Sequence, residues 1–263
     1  MIEDKLEKEK IEARLEGLDN TIIVMDEVDS TNLELKRLAQ GGAKGGTVVI
    51  AERQTSGRGR LGRSFFSPAG SGIYMSVLNK PSFPAEKAVL VTTAVSVAVC
   101  RAIEKVSGKR PLIKWVNDLY LNGKKICGIL TEAIRDAKSG KIEYIVIGIG
   151  INCSETDFPD DIKNIAGSIC EREESFSRNE LIAEIMKEIN SMGDFADSKD
   201  FIDEYKRRSL VLGKEIRILG QTEELATAVD IDENGGLVVR LSGGETKILS
   251  SGEISIRLSG NNE

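Results

Sequence analysis

The hydrophobic pattern of this chain changes at Leu210, and this change constrains the fold more than any other feature of the sequence. Before Leu210, apolar runs such as TIIVMDEV (21–28) and IEYIVIGIGIN (142–152) alternate with longer helical stretches. After it, apolar and polar side chains alternate between Asn-Gly-Gly and Gly-Gly turns, which is typical of antiparallel strands joined by hairpins. The pattern predicts an N-terminal helix over residues 1–20, a larger unit of strands and helices over 21–209, and a small β module over 210–258.

The charge balance and the cysteines limit the partners and the compartment. The 263 residues include 36 Lys+Arg against 42 Asp+Glu, a formal net charge of −6. Because neutralisation of phosphates dominates the binding of DNA and RNA, this balance argues against a nucleic-acid partner. The longest apolar stretch, AVLVTTAVSVAVC, lies in a predicted buried helix (86–107) and is too short to span a bilayer, so no membrane partner is expected. Four cysteines without C-x-x-C spacing favour reduced thiols in a cytoplasmic protein.

The sequence contains no histidine. This absence excludes Ser-His-Asp and Cys-His catalysis and most catalytic zinc sites. Any chemistry must therefore use lysine, arginine, carboxylates, hydroxyls and the backbone. Such a set favours positioning and charge stabilisation over proton transfer by imidazole.

The segment TSGRGRLGRSFFSP (55–68) places Arg58, Arg60 and Arg63 between glycines, with no acidic residue among them. Glycine lets the backbone approach an anion closely, and arginine binds phosphate through two parallel hydrogen bonds. These properties favour a phosphate-binding loop that becomes ordered around its ligand. The alternative is a solvated loop whose arginines pair with surface carboxylates. A dinucleotide-binding fingerprint is disfavoured, because Pro68 and further glycines follow where that fingerprint requires a helix.

Four further segments carry polar residues beside predicted strands or helix starts. KWVND (114–118) offers groups for ATP phosphates and Mg²⁺, and GKKICGIL (123–130) places a lysine near a glycine that allows close approach. GIGIN (148–152) ends a buried strand in glycines and an amide, and DSTN (29–32) begins a helix. Each segment alone is equally compatible with an ordinary turn, surface strand or helix cap. Only their combination distinguishes a site.

Taken together and in this order, DSTN, AERQTSGRGRLGR, FFSP, KWVNDLYLNGKKICGIL, GIGIN and SGEISIR resemble the biotin protein ligases over about residues 20–258. The resemblance implies an α+β fold, in which a catalytic domain related to class II aminoacyl-tRNA synthetases, with a mixed sheet and helices, precedes a C-terminal SH3-like β-barrel. It also implies the reaction. Biotin and ATP, with Mg²⁺, give biotinyl-5′-AMP and pyrophosphate, and a lysine of a biotin carboxyl carrier protein then accepts the biotin and releases AMP.

The resemblance also assigns roles to residues. The implied biotin-binding residues are Ser30, Thr31, Asn32, Gln54, Gly57, Arg58, Gly59, Arg60, Lys125 and Gly128. The implied ATP-binding residues are Arg58, Arg60, Arg63, Lys114, Trp115, Asn117, Asn152 and Arg257. The implied catalytic residues are Arg58, Lys125 and Asp118, and Asp118 is also the implied Mg²⁺ ligand.

Two positions depart from the family pattern. Val116 stands where the family usually has proline, so the φ angle of this turn is less constrained. Phe65 stands where a tryptophan is expected, although its ring can still stack or pack.

No helix-turn-helix precedes the strand at residue 21, which resembles the ligase-only form of the family and not the repressor form. The oligomeric state stays open between monomer and homodimer.

Two other functions remain as alternatives. A lipoate or octanoate ligase would share the fold and the adenylate chemistry, but a different arrangement of arginine and glycine is expected there. A non-catalytic biotin-sensing protein would not need Arg58 or Lys125, and both are present.

The implied chemistry proceeds without histidine. A carboxylic acid with a pKa near 4 is already ionised at neutral pH, so the first step needs no general base. The second step is harder, because a lysine amine with a pKa of about 10.4 must lose a proton at a cost of about 4–5 kcal/mol at pH 7. Asp118 or a water molecule is the expected proton acceptor.

Overall fold

The computed structural model describes residues 4–80, 88–135, 142–171, 176–193, 200–219 and 223–256. In this part of the chain the helices are α1 (Lys8–Glu12), α2 (Thr31–Gln40), α3 (Ala88–Ser107), α4 (Arg178–Ser191) and α5 (Asp200–Arg208). The strands of the larger unit are β1 (Thr21–Val28), β2 (Thr47–Gln54), β3 (Gly72–Asn79), β4 (Leu112–Lys114), β5 (Asp118–Leu121), β6 (Lys124–Arg135) and β7 (Ile142–Asn152). Five strands follow, namely β8 (Glu215–Leu219), β9 (Glu224–Ile231), β10 (Leu237–Leu241), β11 (Thr246–Leu249) and β12 (Glu253–Ile256).

The first seven strands form one mixed sheet in the order β1-β2-β3-β7-β6-β5-β4. β1 and β2 are parallel and are connected through α2, whereas the other neighbouring pairs are antiparallel. Asn122 and Gly123, with φ angles of 51° and 77°, form the tight turn between β5 and β6, as the NGK signal predicts. The order places β6 and β7 side by side, so that the GKKICGIL and GIGIN segments become neighbours.

Both faces of the sheet are covered, because its central strands are apolar on both sides. In β2, Val48 and Ile50 belong to the main core together with α3 and α4, whereas Val49 belongs to a smaller core with Leu35 and Ala39 of α2. Successive side chains of a strand point to opposite faces, so a continuous apolar run of this kind requires cover on each side. The mixed sheet with helices that the sequence predicted is confirmed.

The longest apolar stretch of the chain lies in α3. This helix was predicted over 86–107 and is observed over Ala88–Ser107, while residues 81–87 lie outside the described part. It packs against α4, α5 and β6 within the main core. Among the helices that the structure describes, none combines the length and hydropathy needed to cross a membrane.

The N-terminal segment is helical over fewer residues than predicted. Helix α1 covers only Lys8–Glu12, whereas the pattern predicted a helix over 1–20, of which the first three residues are not described. The backbone N–H of Leu6 donates to Oε1 of Glu52 on β2 at 2.8 Å. Contacts with the body of the protein thus replace helical hydrogen bonds at this end, because tertiary context overrides helix propensity.

The last five strands form an antiparallel sheet in the order β11-β10-β9-β8-β12, which agrees with the predicted SH3-like module. The indole Nε1 of Trp115 donates to the carbonyl oxygen of Gly235 at 3.0 Å and joins this module to the larger unit. Gly235 has a φ of 80°, and a Cβ atom there would lie 2.5 Å from Oγ1 of Thr93 on α3. A larger residue at 235 would therefore push the C-terminal sheet away from α3.

Candidate active site

Two adjoining cavities lie beside the loop that follows β2, and they share Arg58, Phe65, Gly128 and Leu130. The larger cavity is rich in cations, and its other lining residues are Gly59, Arg60, Leu61, Arg63, Ser64, Lys114, Trp115, Asn117, Asp118, Lys125, Ile129, Gly252 and Ile254. Apart from the shared Arg58, the smaller cavity is uncharged, and its other lining residues are Ser30, Thr31, Asn32, Gln54, Met75, Gly148, Ile149 and Gly150. The segments singled out in the sequence therefore meet at one place.

The arginine loop is ordered by its own backbone. The N–H of Gly59 donates to the carbonyl of Arg63 at 2.7 Å, and the N–H of Phe65 donates to the carbonyl of Gly57 at 2.9 Å. Gly57 is buried, and a Cβ atom there would lie 2.3 Å from the carbonyl oxygen of Phe65. Leu61 at the tip has a φ of 54°, a left-handed conformation that is uncommon for a branched residue. These contacts give the loop the form of a closed turn, and its expected ordering around a phosphate stays a prediction.

Arg60 connects three parts of the site. Its Nη1 donates to Oδ1 of Asn117 at 2.9 Å, and its Nη2 donates to the carbonyl oxygen of Gly252 at 2.8 Å. Asn117 in turn donates through Nδ2 to the carbonyl of Ile129 at 2.9 Å. The guanidinium is thus fixed over the larger cavity by one neutral acceptor from the KWVND turn and one from the C-terminal module.

Arg58 has a carboxylate nearby, which the local sequence did not indicate. Its Nη2 lies 3.7 Å from Oε1 of Glu132 on β6. Burial by itself raises the pKa of Glu132, but hydrogen bonds from Asn32 and Lys36 outweigh it and bring the pKa below its ordinary value. The glutamate is therefore ionised at neutral pH. Arg58 therefore lies near an anionic side chain of the protein, as in the alternative in which the loop arginines pair with carboxylates.

Lys125 and Asp118 form an ion pair at the wall of the larger cavity. The Nζ of Lys125 lies 2.7 Å from Oδ1 of Asp118, and both side chains are partly exposed. Gly128 is paired with Asp118 across β5 and β6, and a Cβ atom on Gly128 would lie 3.4 Å from Cε of Lys125. Lys114 lies nearby with its Nζ 5.8 Å from the ring centroid of Tyr120.

A chain of hydrogen bonds lines the smaller cavity. The backbone N–H and the hydroxyl of Thr31 both donate to Oε1 of Gln54, at 2.9 and 3.1 Å. Nε2 of Gln54 donates to the hydroxyl of Ser67 at 2.9 Å. Oγ of Ser76 lies 2.6 Å from Oδ1 of Asn32. These contacts hold the short polar side chains in fixed orientations beside an apolar floor, so that the cavity can recognise a small neutral ring with polar substituents.

The glycines of GIGIN are residues of this cavity whose place the sequence reasoning missed. A Cβ atom on Gly148 would lie 2.1 Å from Oδ1 of Asn32, and one on Gly150 would lie 2.7 Å from the ring of Phe65. The two glycines are two residues apart on β7 and therefore share one face of the sheet. Their spacing was the available signal, because alternate glycines in an otherwise apolar strand leave a groove on one face.

Phe65 separates the two cavities. Its ring lies over Gly150, close to Gly128, and makes an edge-to-face contact with Tyr74 at a centroid distance of 6.4 Å. Burial raises the pKa of the Tyr74 phenol to about 12, so this neighbour stays neutral. The phenylalanine that replaces the expected tryptophan is thus packed inside the site.

Two of the predicted site residues that the structure describes do not line either cavity. Gly57 is buried within the loop, and Asn152 donates through Nδ2 to the carbonyl of Gly167 at 2.9 Å. A third, Arg257, lies outside the described residues. Their predicted roles in binding remain predictions.

The larger cavity has a strong excess of positive charge. Among the described residues, five cationic side chains line it, against the single carboxylate of Asp118. Within the described residues, no group of three or more His, Cys, Asp or Glu side chains could hold a metal ion by itself. A polyanion is therefore the ligand that this cavity suits, and any Mg²⁺ would depend on the oxygens of that ligand.

Both the larger unit and the C-terminal module match protein-family models. A family model described as the biotin/lipoate A/B protein ligase family matches residues 24–152, and one described as the biotin protein ligase C terminal domain matches residues 211–257. The chain is 40% identical to the bifunctional ligase/repressor BirA of Bacillus spizizenii over 158 residues. These residues cover 59% of this chain and 48% of that protein. The match thus spans about half the length of this relative. Over 241 residues it is 28% identical to the biotin–[acetyl-CoA-carboxylase] ligase of Mycobacterium tuberculosis, with 88% of this chain and 87% of that one covered.

The comparison of structures extends over nearly the whole chain. A biotin protein ligase from Aquifex aeolicus, solved in complex with biotin and ATP, superposes with a TM-score of 0.76. The two chains are 31% identical, and the superposition covers 92% of this chain and 100% of the other. On shared sequence and shared fold, this chain belongs to the biotin protein ligase family.

Proposed function

We propose that this chain is an ATP-dependent biotin–protein ligase. It would join biotin to ATP as biotinyl-5′-AMP, with release of pyrophosphate, and then transfer biotin to a lysine of a biotin carboxyl carrier protein, with release of AMP. The observation that carries the proposal is the contact, at Arg58, between a small uncharged cavity and a larger cationic one. The Aquifex relative solved with biotin and ATP supports both substrates.

The smaller cavity is the proposed site of the biotin ring system. Thr31, Gln54 and Ser67 form a hydrogen-bonded row that fixes polar atoms around the ring. Gly148 and Gly150 leave the space that side chains would otherwise fill. With the ring there, the acid chain would run past Phe65 and present its carboxylate to Arg58 and the larger cavity.

In the first step the biotin carboxylate attacks the α-phosphorus of ATP, a bond forms between carboxylate oxygen and phosphorus, and pyrophosphate leaves. The carboxylate is already ionised at neutral pH, so the protein must bring two anions together and stabilise charge at the phosphorus. Arg58, Arg60 and Lys125 are the proposed groups, and each preorganised donor contributes about 3 kcal/mol by analogy with oxyanion-hole donors. Arg60 is already oriented by Asn117 and Gly252, so little reorganisation is required of it.

Asp118 is the proposed residue for Mg²⁺. One carboxylate beside a phosphate site fits this ion, which takes one or two carboxylates together with phosphate oxygens. The metal would supply further neutralisation of the phosphate charge. When Lys125 turns to the phosphate, Asp118 loses its present partner and becomes available.

In the second step the lysine amine of the carrier protein attacks the carbonyl carbon of biotinyl-5′-AMP, an amide bond forms and AMP leaves. Asp118 is also the proposed acceptor of the proton that the amine nitrogen loses as the amide bond forms, whereas reaching the neutral amine beforehand costs about 4–5 kcal/mol at pH 7. The name of the Mycobacterium tuberculosis relative, a biotin–[acetyl-CoA-carboxylase] ligase, supports a carboxylase subunit as the acceptor. Four buried free thiols suit a reducing compartment, and we place the reaction in the cytoplasm.

The test is ATP–pyrophosphate exchange by the purified protein, with biotin, lipoate and octanoate supplied in turn. We expect exchange with biotin, and a loss of about 100-fold in Arg58→Ala and in Lys125→Ala. Arg53→Ala is the matched control, because Arg53 pairs with Glu27 at 2.8 Å on the exposed surface and lines neither cavity. Exchange with lipoate or octanoate alone would keep the chemistry and overturn the substrate. Tight binding of biotin without exchange would indicate a sensor and contradict the proposal.

A further inference from the structure

We propose that Glu132 is a positioning residue for the adenylation step: its carboxylate holds Arg58 at the boundary between the two cavities and Asn32 at the wall of the smaller one. This inference rests on the proposed function. Glu132 lines neither cavity and therefore acts through the two residues that it contacts.

The position of Glu132 on β6 follows from the period of the strand. Gly128 and Leu130 line both cavities, and Glu132 is the next residue on the same face. The carboxylate of Glu132 therefore lies next to the cavity wall in the same row of residues, but outside the cavities. Lys36 of α2 reaches this carboxylate from the far side, with Nζ 2.7 Å from Oε1.

Both oxygens of the carboxylate are occupied. Oε2 accepts from Nδ2 of Asn32 at 2.8 Å, and Oε1 accepts from Lys36 and lies 3.7 Å from Nη2 of Arg58. The contact with Asn32 determines which way its amide faces, because Nδ2 then points to Glu132 and Oδ1 points to Ser76 at 2.6 Å. One side chain therefore orients a residue of the biotin pocket and a residue of the phosphate loop.

Arg58 needs such an anchor because of where it lies. Its side chain is 42% exposed on a glycine-flanked turn, whereas that of Glu132 is 20% exposed and fixed by two donors. An unrestrained arginine has rotamer entropy to lose when it is fixed in one orientation, and the other cations of the larger cavity repel it from the boundary. A fixed carboxylate behind it opposes both effects. The ion pair between Arg58 and Glu132 is long and partly exposed, so it contributes little to the stability of the fold. Its effect is therefore on the orientation of Arg58.

The experiment measures biotin-dependent ATP–pyrophosphate exchange and the melting temperature of Arg58→Ala and of four further variants. Glu132→Gln keeps an acceptor for Asn32 but removes the negative charge, and we expect kcat/KM for biotin to fall about tenfold with an unchanged melting temperature. Glu132→Asp restores the charge and should recover part of the loss. Lys36→Met removes the other cation from the same carboxylate without touching either cavity, and its effect should stay within about twofold.

The decisive variant is the double substitution of Glu132→Gln with Arg58→Ala. If Glu132 acts through Arg58, the loss from Glu132→Gln shrinks to within about twofold once Arg58 is absent. Equal losses in the two backgrounds, a fall in melting temperature that accounts for the loss, or a loss as large in Lys36→Met would each overturn the inference while the proposed function stands. Absence of biotin-dependent exchange in the unmodified protein would overturn the proposed function, and the inference with it.

Discussion

Replacing Arg178 by alanine is expected to lower the free energy of unfolding by several kcal/mol. The guanidinium of Arg178, at the start of α4, is 6% exposed, and its Nη1 lies 2.9 Å from Oε2 of Glu52, whose side chain is 14% exposed. The same Nη1 donates to the carbonyl oxygen of Gly72 at 2.9 Å. The alanine variant leaves the Glu52 carboxylate and this carbonyl in the interior without their partner.

The size of the effect follows from these contacts. Removing one partner of a buried ion pair costs about 3–5 kcal/mol, because the remaining charge is neither solvated nor paired. For a protein of this size, a change of 1 kcal/mol shifts the melting temperature by about 2–4 °C, so a decrease of about 6–20 °C is expected. The N–H of Leu6 still donates to Oε1 of Glu52 and offsets a small part of the loss.

Urea and thermal unfolding followed by circular dichroism measure this change. Arg53→Ala is the matched control, because Arg53 is the next residue on β2 and its pair with Glu27 is 2.8 Å long, with both side chains about half exposed. An exposed pair of this kind contributes about 0–1 kcal/mol. If Arg178→Ala destabilised the protein no more than Arg53→Ala does, the reasoning from burial would be refuted.

Three further outcomes are expected. Gly150→Ala places a Cβ atom 2.7 Å from Phe65 and should abolish biotin binding, which isothermal calorimetry measures, while Gly243→Ala is a control at an exposed glycine with open space around it. Burial raises the pKa of Glu204, but hydrogen bonds from Arg101 and Arg208 lower it by more, so this carboxylate's contribution to stability is lost as the pH falls below 4.5. Urea titrations over this pH range should show a smaller loss of stability in Glu204→Gln than in the unmodified protein. The four buried thiols should react with a thiol reagent at pH 8 only after unfolding, since burial raises the pKa of Cys100 to about 12.

The sequence predicted the elements whose signals are local. The runs at 21–28 and 142–152 are strands with those bounds, and the Asn122–Gly123 turn follows from residues that tolerate a positive φ. The larger unit and the small antiparallel β module were recognisable because apolar periodicity reports secondary structure directly, whereas the SH3-like form of that module was implied by the family resemblance. The same reasoning failed for residues 4–20, which are helical only over Lys8–Glu12, and the N–H groups of Leu6 and Glu7 donate to side-chain acceptors on β2 and α4.

The candidate site divides in the same way. The sequence by itself determined the chemistry: no histidine, a loop of arginines between glycines, and lysine and carboxylate groups on neighbouring strands. Only the tertiary structure decided that Glu132 lies behind Arg58, that Phe65 separates two cavities, and that Gly252 of the terminal module accepts from Arg60. The reason is physical. Residue type and spacing determine charge and local geometry. Contacts between distant segments depend instead on the strand order β3-β7-β6-β5 and on how the second sheet packs against the first unit. No local sequence pattern specifies that order or that packing.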